Sequence, residues 1–142
     1  MAWLRLFYHQ IVYWVVGTTP EAHHANLANT WYELNRYRSC INNCQKYLNY
    51  EDSDHVKAMM AYCYGALDDW EQAAVAYRSI SRIWSVPSFA LGLAEAELRC
   101  GNVEEARKIV ATVEVSDPNP KYEVALSLEY LKKNLLESAA SD

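Results

Sequence analysis

The sequence predicts an all-α fold built from stacked helix–turn–helix repeats, and three observations predict it. Only four glycines and four prolines occur among 142 residues, as expected of helices with few interruptions. Apolar residues recur every three or four positions, which gives each helix one apolar face. The pattern over residues 21–118 also repeats with a period of about 33 residues, and such a period with helical content indicates an α-solenoid.

The clearest unit covers residues 86–118, where two apolar stretches flank a break at Gly101 and Asn102. We expect Gly101 to end the first helix with a positive φ. Asn102 is predicted to cap the second helix, with Glu105 three residues later in the capping-box position. A hairpin of this size cannot bury both apolar faces alone, so it must pack on similar units.

Two similar units lie upstream, one and two repeat periods earlier in the sequence. When the units are aligned, small residues occupy equivalent positions, at which the helices are expected to approach closely. Large apolar residues occupy equivalent positions next to these. The aligned sets are Val103, Trp70 and Tyr37; Ala106, Ala73 and Cys40; Val110, Tyr77 and Cys44; Leu93, Met60 and Leu27; and Ala94, Ala61 and Ala28.

At these residues the chain resembles the tetratricopeptide repeat. The first-helix pattern of that family, with a leucine-like, a small and an aromatic residue, is matched by Met60, Ala61 and Tyr64 and again by Leu27, Ala28 and Trp31. Pro118 matches the closing proline. Three positions depart from the pattern: Glu97 replaces an aromatic residue, and Cys40 and Cys44 replace an alanine and an aromatic residue. The resemblance implies a solenoid whose concave side binds a protein or peptide.

We therefore expect one helical-repeat domain over residues 1–142. Its predicted parts are an extra N-terminal helix at 1–17, repeats at 20–51, 53–84 and 85–118, and a C-terminal capping helix at 120–137. Thr19, Ser53 and Asp69 are the expected helix caps. The capping helix has a predicted core side of Val124, Leu126, Leu128, Leu131 and Leu135.

The N-terminal segment is apolar but too short to cross a membrane, which needs about 20 residues, and Arg5 interrupts it. Three roles remain open: a cap on the first repeat, a helix for dimerisation or partner binding, and a membrane-surface anchor. A single basic residue gives little attraction to anionic lipid, so membrane contact is the least favoured. The predicted interaction seam consists of Trp3, Phe7, Ile11 and Trp14.

Charge and motifs exclude several classes of function. The net charge of −5 and the absence of a Lys/Arg cluster argue against nucleic acid as a partner. There is no glycine-rich phosphate loop, no H-E-x-x-H sequence and no nucleophile elbow. We expect no enzyme, no catalytic residue and no cofactor.

The cysteines and histidines form one alternative that we weigh against packing. Cys40 and Cys44 lie four residues apart, and with His23 or His24 they could ligate a metal. Both cysteines, however, occupy inward repeat positions, where free cysteine behaves as a small apolar residue. We expect one inward histidine and no metal. The four cysteines lack disulfide spacing, so we expect free thiols, which are typical of a reducing compartment.

The resemblance implies that the first helix of each repeat lines the binding groove. The predicted groove residues are Asn29, Tyr32, His55, Met59, Tyr62, Leu91, Glu95 and Arg99. This aromatic and flexible lining suits a partner with apolar anchors; the alternative is that Tyr32 and Tyr62 are solvated rim residues. Family members that hold the acidic tails of heat-shock chaperones use a clamp of basic residues and asparagine. Here only Asn29 matches it, and the other clamp positions carry Ala25, Met59, Ser88 and Gly92.

The layout of three repeats with an extra helix at each end also resembles the small type III secretion chaperones of bacteria. That resemblance implies a cytoplasmic protein that keeps a hydrophobic needle or translocator subunit soluble in its groove. The alternative is a general repeat adaptor that assembles another complex, with membrane contact or oligomerisation through the N-terminal helix.

Overall fold

The computed structural model describes Leu4, Arg5, Tyr8 and residues 19–141. Across these residues the chain is helical and has no strand, which confirms the predicted all-α class. The helices are α1 (Pro20–Glu33), α2 (Tyr37–Leu48), α3 (Asp54–Ala66), α4 (Trp70–Arg78), α5 (Pro87–Arg99), α6 (Val103–Ser116) and α7 (Tyr122–Ala140), with a 3₁₀ turn at Ile83–Ser85.

The helices group into two compact units, Met1–Asp68 and Asp69–Asp142. In the first unit α2 packs on α1 and α3; in the second, α5 packs on α4 and α6, and α7 packs on α5 and α6. The boundary falls inside the predicted second repeat, at 53–84. The single array over residues 1–142 stays a prediction.

Three helix starts follow the capping rules. The side-chain oxygens of Thr19, Ser53 and Asp69 accept hydrogen bonds from the backbone N–H three residues later, at 3.3, 3.4 and 3.3 Å. Each bond satisfies one of the backbone donors that a helix N-terminus leaves without an intrahelical partner. These three predicted caps are confirmed.

The turn inside each hairpin carries one residue with positive φ. These residues are Asn35 at 55°, Asp68 at 63° and Gly101 at 86°, and they occupy the same place in successive repeats. Glycine tolerates this left-handed region at no steric cost, and asparagine and aspartate tolerate it better than other side chains do. The prediction for Gly101 is confirmed, and the backbone has the same period as the sequence.

The core of the first unit contains three buried thiols. Cys40, Cys44 and Cys63 are fully buried, and the Cys40 and Cys44 sulfurs lie 3.9 Å apart. The hydrogen bond with Cys40, together with burial, raises the pKa of the Cys44 and Cys63 thiols, so both stay protonated at neutral pH. All four cysteines are free, and those at the predicted inward positions pack as apolar residues.

The two adjacent histidines differ in burial, as expected. His23 is buried, whereas His24 is half-buried with its Nδ1 3.3 Å from Asn43 Oδ1. Among the described residues, no group of three or more His, Cys, Asp or Glu side chains has an arrangement that could hold a metal ion.

In the second unit, small residues let helices α4 and α5 approach closely. Ala90, Ala94 and Ala96 are buried on α5. A Cβ atom added at Gly92 would lie 2.5 Å from Tyr77 Cζ, so the tyrosine ring rests directly on the glycine backbone. Any side chain at residue 92 would therefore have to displace the Tyr77 ring.

Asn102 lies at the predicted N-cap position of α6, but its side chain makes no capping bond to that helix. The predicted capping interaction is therefore wrong. Instead, Asn102 Nδ2 donates to Glu97 Oε2 at 2.8 Å, while Arg78 forms an ion pair with Glu97 Oε1. Glu97 is only 1% exposed, and a buried carboxylate without donors is costly. Satisfying that carboxylate outweighs a helix cap, because solvent can replace the cap at an exposed turn.

The core side of α7 also differs from the prediction at one residue. Leu128, Leu131 and Leu135 are buried, whereas Leu126 is 47% exposed. Leu126 lies about 140° around the helix from Leu131, at 100° per residue. The helix itself continues past the predicted end at 137, to Ala140.

The predicted N-terminal seam of Trp3, Phe7, Ile11 and Trp14 lies outside the described residues. Leu4, Arg5 and Tyr8 have helical backbone conformation, and Arg5 forms an ion pair with Glu33 at the end of α1. In the part of the chain that is described, no helix combines the length and hydrophobicity needed to cross a membrane.

Candidate protein-binding surfaces

The first unit presents three tyrosine rings on adjacent helices. Tyr62 on α3 meets Tyr32 on α1 edge to face, with centroids 5.4 Å apart and planes at 63°. Tyr37, the first residue of α2, approaches the same ring at 6.4 Å and 65°. Tyr32 and Tyr62 are 36% and 51% exposed. Edge-to-face contacts fix the ring orientations, so these exposed aromatic surfaces are held in place before any partner arrives.

Partial burial and the neighbouring Tyr62 raise the pKa of Tyr32, so its hydroxyl stays protonated at neutral pH. The cluster offers apolar ring faces together with hydroxyl groups that can form hydrogen bonds. Such a surface fits apolar or amphipathic side chains of a partner.

The other predicted groove residues of the first unit fall into two groups. Asn29 on α1 and His55 on α3 are exposed. Met59 is half-buried and packs against the cysteine-containing core cluster. Met59 therefore contributes to the core as well as to the surface, and its truncation would affect folding.

The second unit has a hollow of about 340 Å³ between α5 and α7. Leu91 is 3% exposed and forms part of the floor of this hollow. A binding partner could contact Leu91 only with a group that enters the hollow, because the leucine side chain does not project from the surface. The remaining lining residues are Ser88, Gly92, Glu95, Leu126, Ser127, Tyr130 and Leu131.

Arg99 is held in place from three sides at an adjoining hollow of about 380 Å³, which Glu95 and Tyr130 also line. Its guanidinium donates to the Tyr130 hydroxyl at 3.0 Å and lies 5.3 Å from the centroid of the Trp70 ring. Glu95 is 3.9 Å away. These contacts orient the guanidinium and leave the Glu95 carboxylate partly exposed at the rim.

The structure adds residues that sequence reasoning missed. The sequence pattern identified Tyr37 only as a large residue at an aligned repeat position, and it predicted no role for Tyr130. Tyr130 stands four residues after Leu126, a spacing that keeps two side chains on neighbouring turns of one helix side. That spacing was the available signal, because it sets both residues apart from the buried leucines of α7.

The hairpins, the recurrent positive-φ turns and the small inward residues define a helical-repeat protein. Among solved structures the chain is similar to the one described as the first TPR of Spaghetti (RPAP3) bound to HSP90 peptide SRMEEVD. The TM-score is 0.64 at 18% identity, over 77% of this chain and 87% of that chain. At this identity the likeness shows the fold, and the predicted tetratricopeptide-repeat architecture is confirmed. No family model and no curated protein matches the sequence.

Proposed function

We propose that this chain is a non-catalytic protein-binding module that holds an apolar segment of a partner. The observation that carries the proposal is the pair Tyr32 on α1 and Tyr62 on α3, which are exposed and meet edge to face. Oriented aromatic side chains are the residues that most often dominate binding free energy at protein interfaces. The α5–α7 hollow of the second unit supplies a further apolar recess with an acidic rim at Glu95.

Charge supports a partner that is not strongly acidic. The chain carries eighteen acidic and thirteen basic residues, and like charges lower the rate of association. The similar domain of Spaghetti (RPAP3) is bound to a peptide that ends in acidic residues. By repeat register, Ala25, Met59, Ser88 and Gly92 take the sequence positions at which such family members carry clamp residues. We therefore propose a different class of partner from an acidic chaperone tail.

The finer proposal is a cytoplasmic type III secretion chaperone with a hydrophobic needle or translocator subunit as its client. What supports it is the layout of the repeats and the exposed aromatic surface. The alternative is a general adaptor. Co-purification separates the two, because a chaperone would arrive with one small hydrophobic client at fixed stoichiometry, whereas an adaptor would be soluble alone.

The experiment that tests the binding surface compares three baits in quantitative pull-downs from the source cell lysate. Tyr62→Ala should lose the protein captured by the wild type, and titration of that protein should show binding weakened at least about tenfold. Tyr50→Ala is the matched control, because Tyr50 has a similar exposure, 55%, in the same unit. Equal capture by Tyr62→Ala and wild type would overturn the assignment of this surface.

A further inference from the structure

The outward side of α7 carries a row of residues at alternating steps of four and three, the spacing of a coiled-coil seam. A parallel row on the opposite side of the same helix is buried or half-buried against α5 and α6. The buried row is Val124, Leu128, Leu131, Leu135 and Ser138. The outward row, which we call the outer seam, is Tyr122, Leu126, Glu129, Lys133, Leu136 and Ala140.

All six residues of the outer seam are exposed. The large apolar members Tyr122, Leu126 and Leu136 are 77%, 47% and 72% exposed. Glu129 and Lys133 form no ion pair with any residue that the structure describes. A row of large apolar side chains in water points to a covering partner, and the two charges in its middle restrict what that partner can be.

We propose that a second copy of this chain docks on the outer seam, with the two α7 helices antiparallel. A two-fold axis at the level of Leu131 brings each seam residue opposite another seam residue, and each pair occurs twice. The resulting pairs are Leu126 with Leu136, Tyr122 with Ala140, and Glu129 with Lys133.

These pairs are complementary in chemistry and in size. Leu126 and Leu136 bury apolar surface together, and the large Tyr122 meets the small Ala140. Glu129 meets the opposite charge of Lys133 in this arrangement. A parallel alignment would instead oppose each charge with its own kind, which is repulsive. The charges therefore select the antiparallel orientation, as polar seam positions do in coiled coils.

This inference goes beyond the proposed function, and of the seam residues only Leu126 also lines the α5–α7 hollow. A single helix pair buries less than the roughly 1,200 Å² of a standard stable interface. We therefore expect a weak dimer, with a dissociation constant of about micromolar or higher.

Sedimentation equilibrium of the full chain, from about micromolar concentration upwards, tests the pairing. Glu129→Lys and Lys133→Glu each bring like charges together twice, so each variant alone should dimerise at least about tenfold more weakly than the wild type. An equal mixture of the two single variants should recover wild-type affinity, because every contact then joins opposite charges. The double variant should recover it as well.

The controls make the same changes elsewhere in the second unit. Glu105→Lys and Lys108→Glu alter an exposed pair on α6, 3.8 Å apart, and should leave dimerisation unchanged. Leu136→Ser should weaken the dimer, whereas Val115→Ser, at another exposed apolar residue, should not. A wild type that stays monomeric, a dimer unaffected by the single reversals, or a mixture that fails to recover would each overturn the proposal. Circular dichroism checks that every variant is folded.

Discussion

Asn102 donates its side-chain amide to the buried carboxylate of Glu97, 2.8 Å away, rather than capping the helix that follows it. Arg78 holds the other carboxylate oxygen. The three residues connect the end of α4, the last turns of α5 and the turn before α6. Asn102, which the sequence pattern predicts to be a helix cap, therefore completes a polar network around the buried carboxylate of Glu97 in the second unit.

Asn102→Asp separates the two roles of this residue. Aspartate is as good a cap as asparagine, but the ionised side chain has no donor and repels Glu97. We expect the variant to lower the free energy of unfolding by about 1–3 kcal/mol, measured by urea denaturation. Asn119→Ala, at an exposed loop position, should change it by less than about 0.5 kcal/mol. An Asn102→Asp protein as stable as the wild type would support capping instead.

Gly92→Ala should destabilise the second unit, although alanine favours a helix by up to about 1 kcal/mol over glycine. The added methyl group would lie 2.5 Å from Tyr77 Cζ, and overpacking typically costs about 1–3 kcal/mol. Thermal unfolding measures the effect. In a Tyr77→Leu background the same change should cost much less, because the ring is gone. An equal cost in both backgrounds would contradict the contact.

Thiol reactivity should divide the cysteines between a fast and a slow class. Cys100 is half-buried, whereas Cys40, Cys44 and Cys63 are fully buried. An aromatic disulfide reagent should therefore label one thiol in the folded protein and the other three only on unfolding. Cys100→Ser should abolish the fast phase, and a fast phase that survives it would refute the assignment.

The pH dependence of that fast phase has a defined sign. Burial, followed by the charges of Glu97 and Glu71, raises the pKa of the Cys100 thiol. Since the thiolate is the reactive form, the labelling rate should rise with pH and reach half its maximum above the pH at which a free cysteine does. Rates of labelling across a pH series, compared with a cysteine peptide, measure the shift.

Removal of residues 1–17 tests the N-terminal interaction seam that the sequence predicts. The truncated chain keeps Thr19, the cap of α1, and loses the exposed ion pair between Arg5 and Glu33, which contributes at most about 1 kcal/mol. We expect a folded protein that has lost a partner or changed its oligomeric state, by circular dichroism and light scattering. A truncated chain that unfolds would show that the segment was a cap.

The sequence by itself determined the features that depend on near neighbours. That these segments are helical follows from apolar residues spaced three or four positions apart. The caps at Thr19, Ser53 and Asp69 each depend on a backbone N–H only three positions later. The repeat period followed from the same local pattern, and it reappears in the positive-φ turns. Asn35 and Asp68 were not predicted at those turns, because asparagine and aspartate prefer the left-handed region less strongly than glycine.

Only the tertiary structure decided which side chains remain available for binding. The sequence assigned Leu91 to the groove, yet packing of α7 against α5 leaves it almost wholly buried. It assigned Leu126 to the core, yet the leucines at 128, 131 and 135 take that side of the helix. The partner of Glu97 lies on another helix, α4, and Tyr32 on α1 meets Tyr62 on α3. Such pairs depend on how helices lie against one another, which the spacing of residues within one helix does not specify.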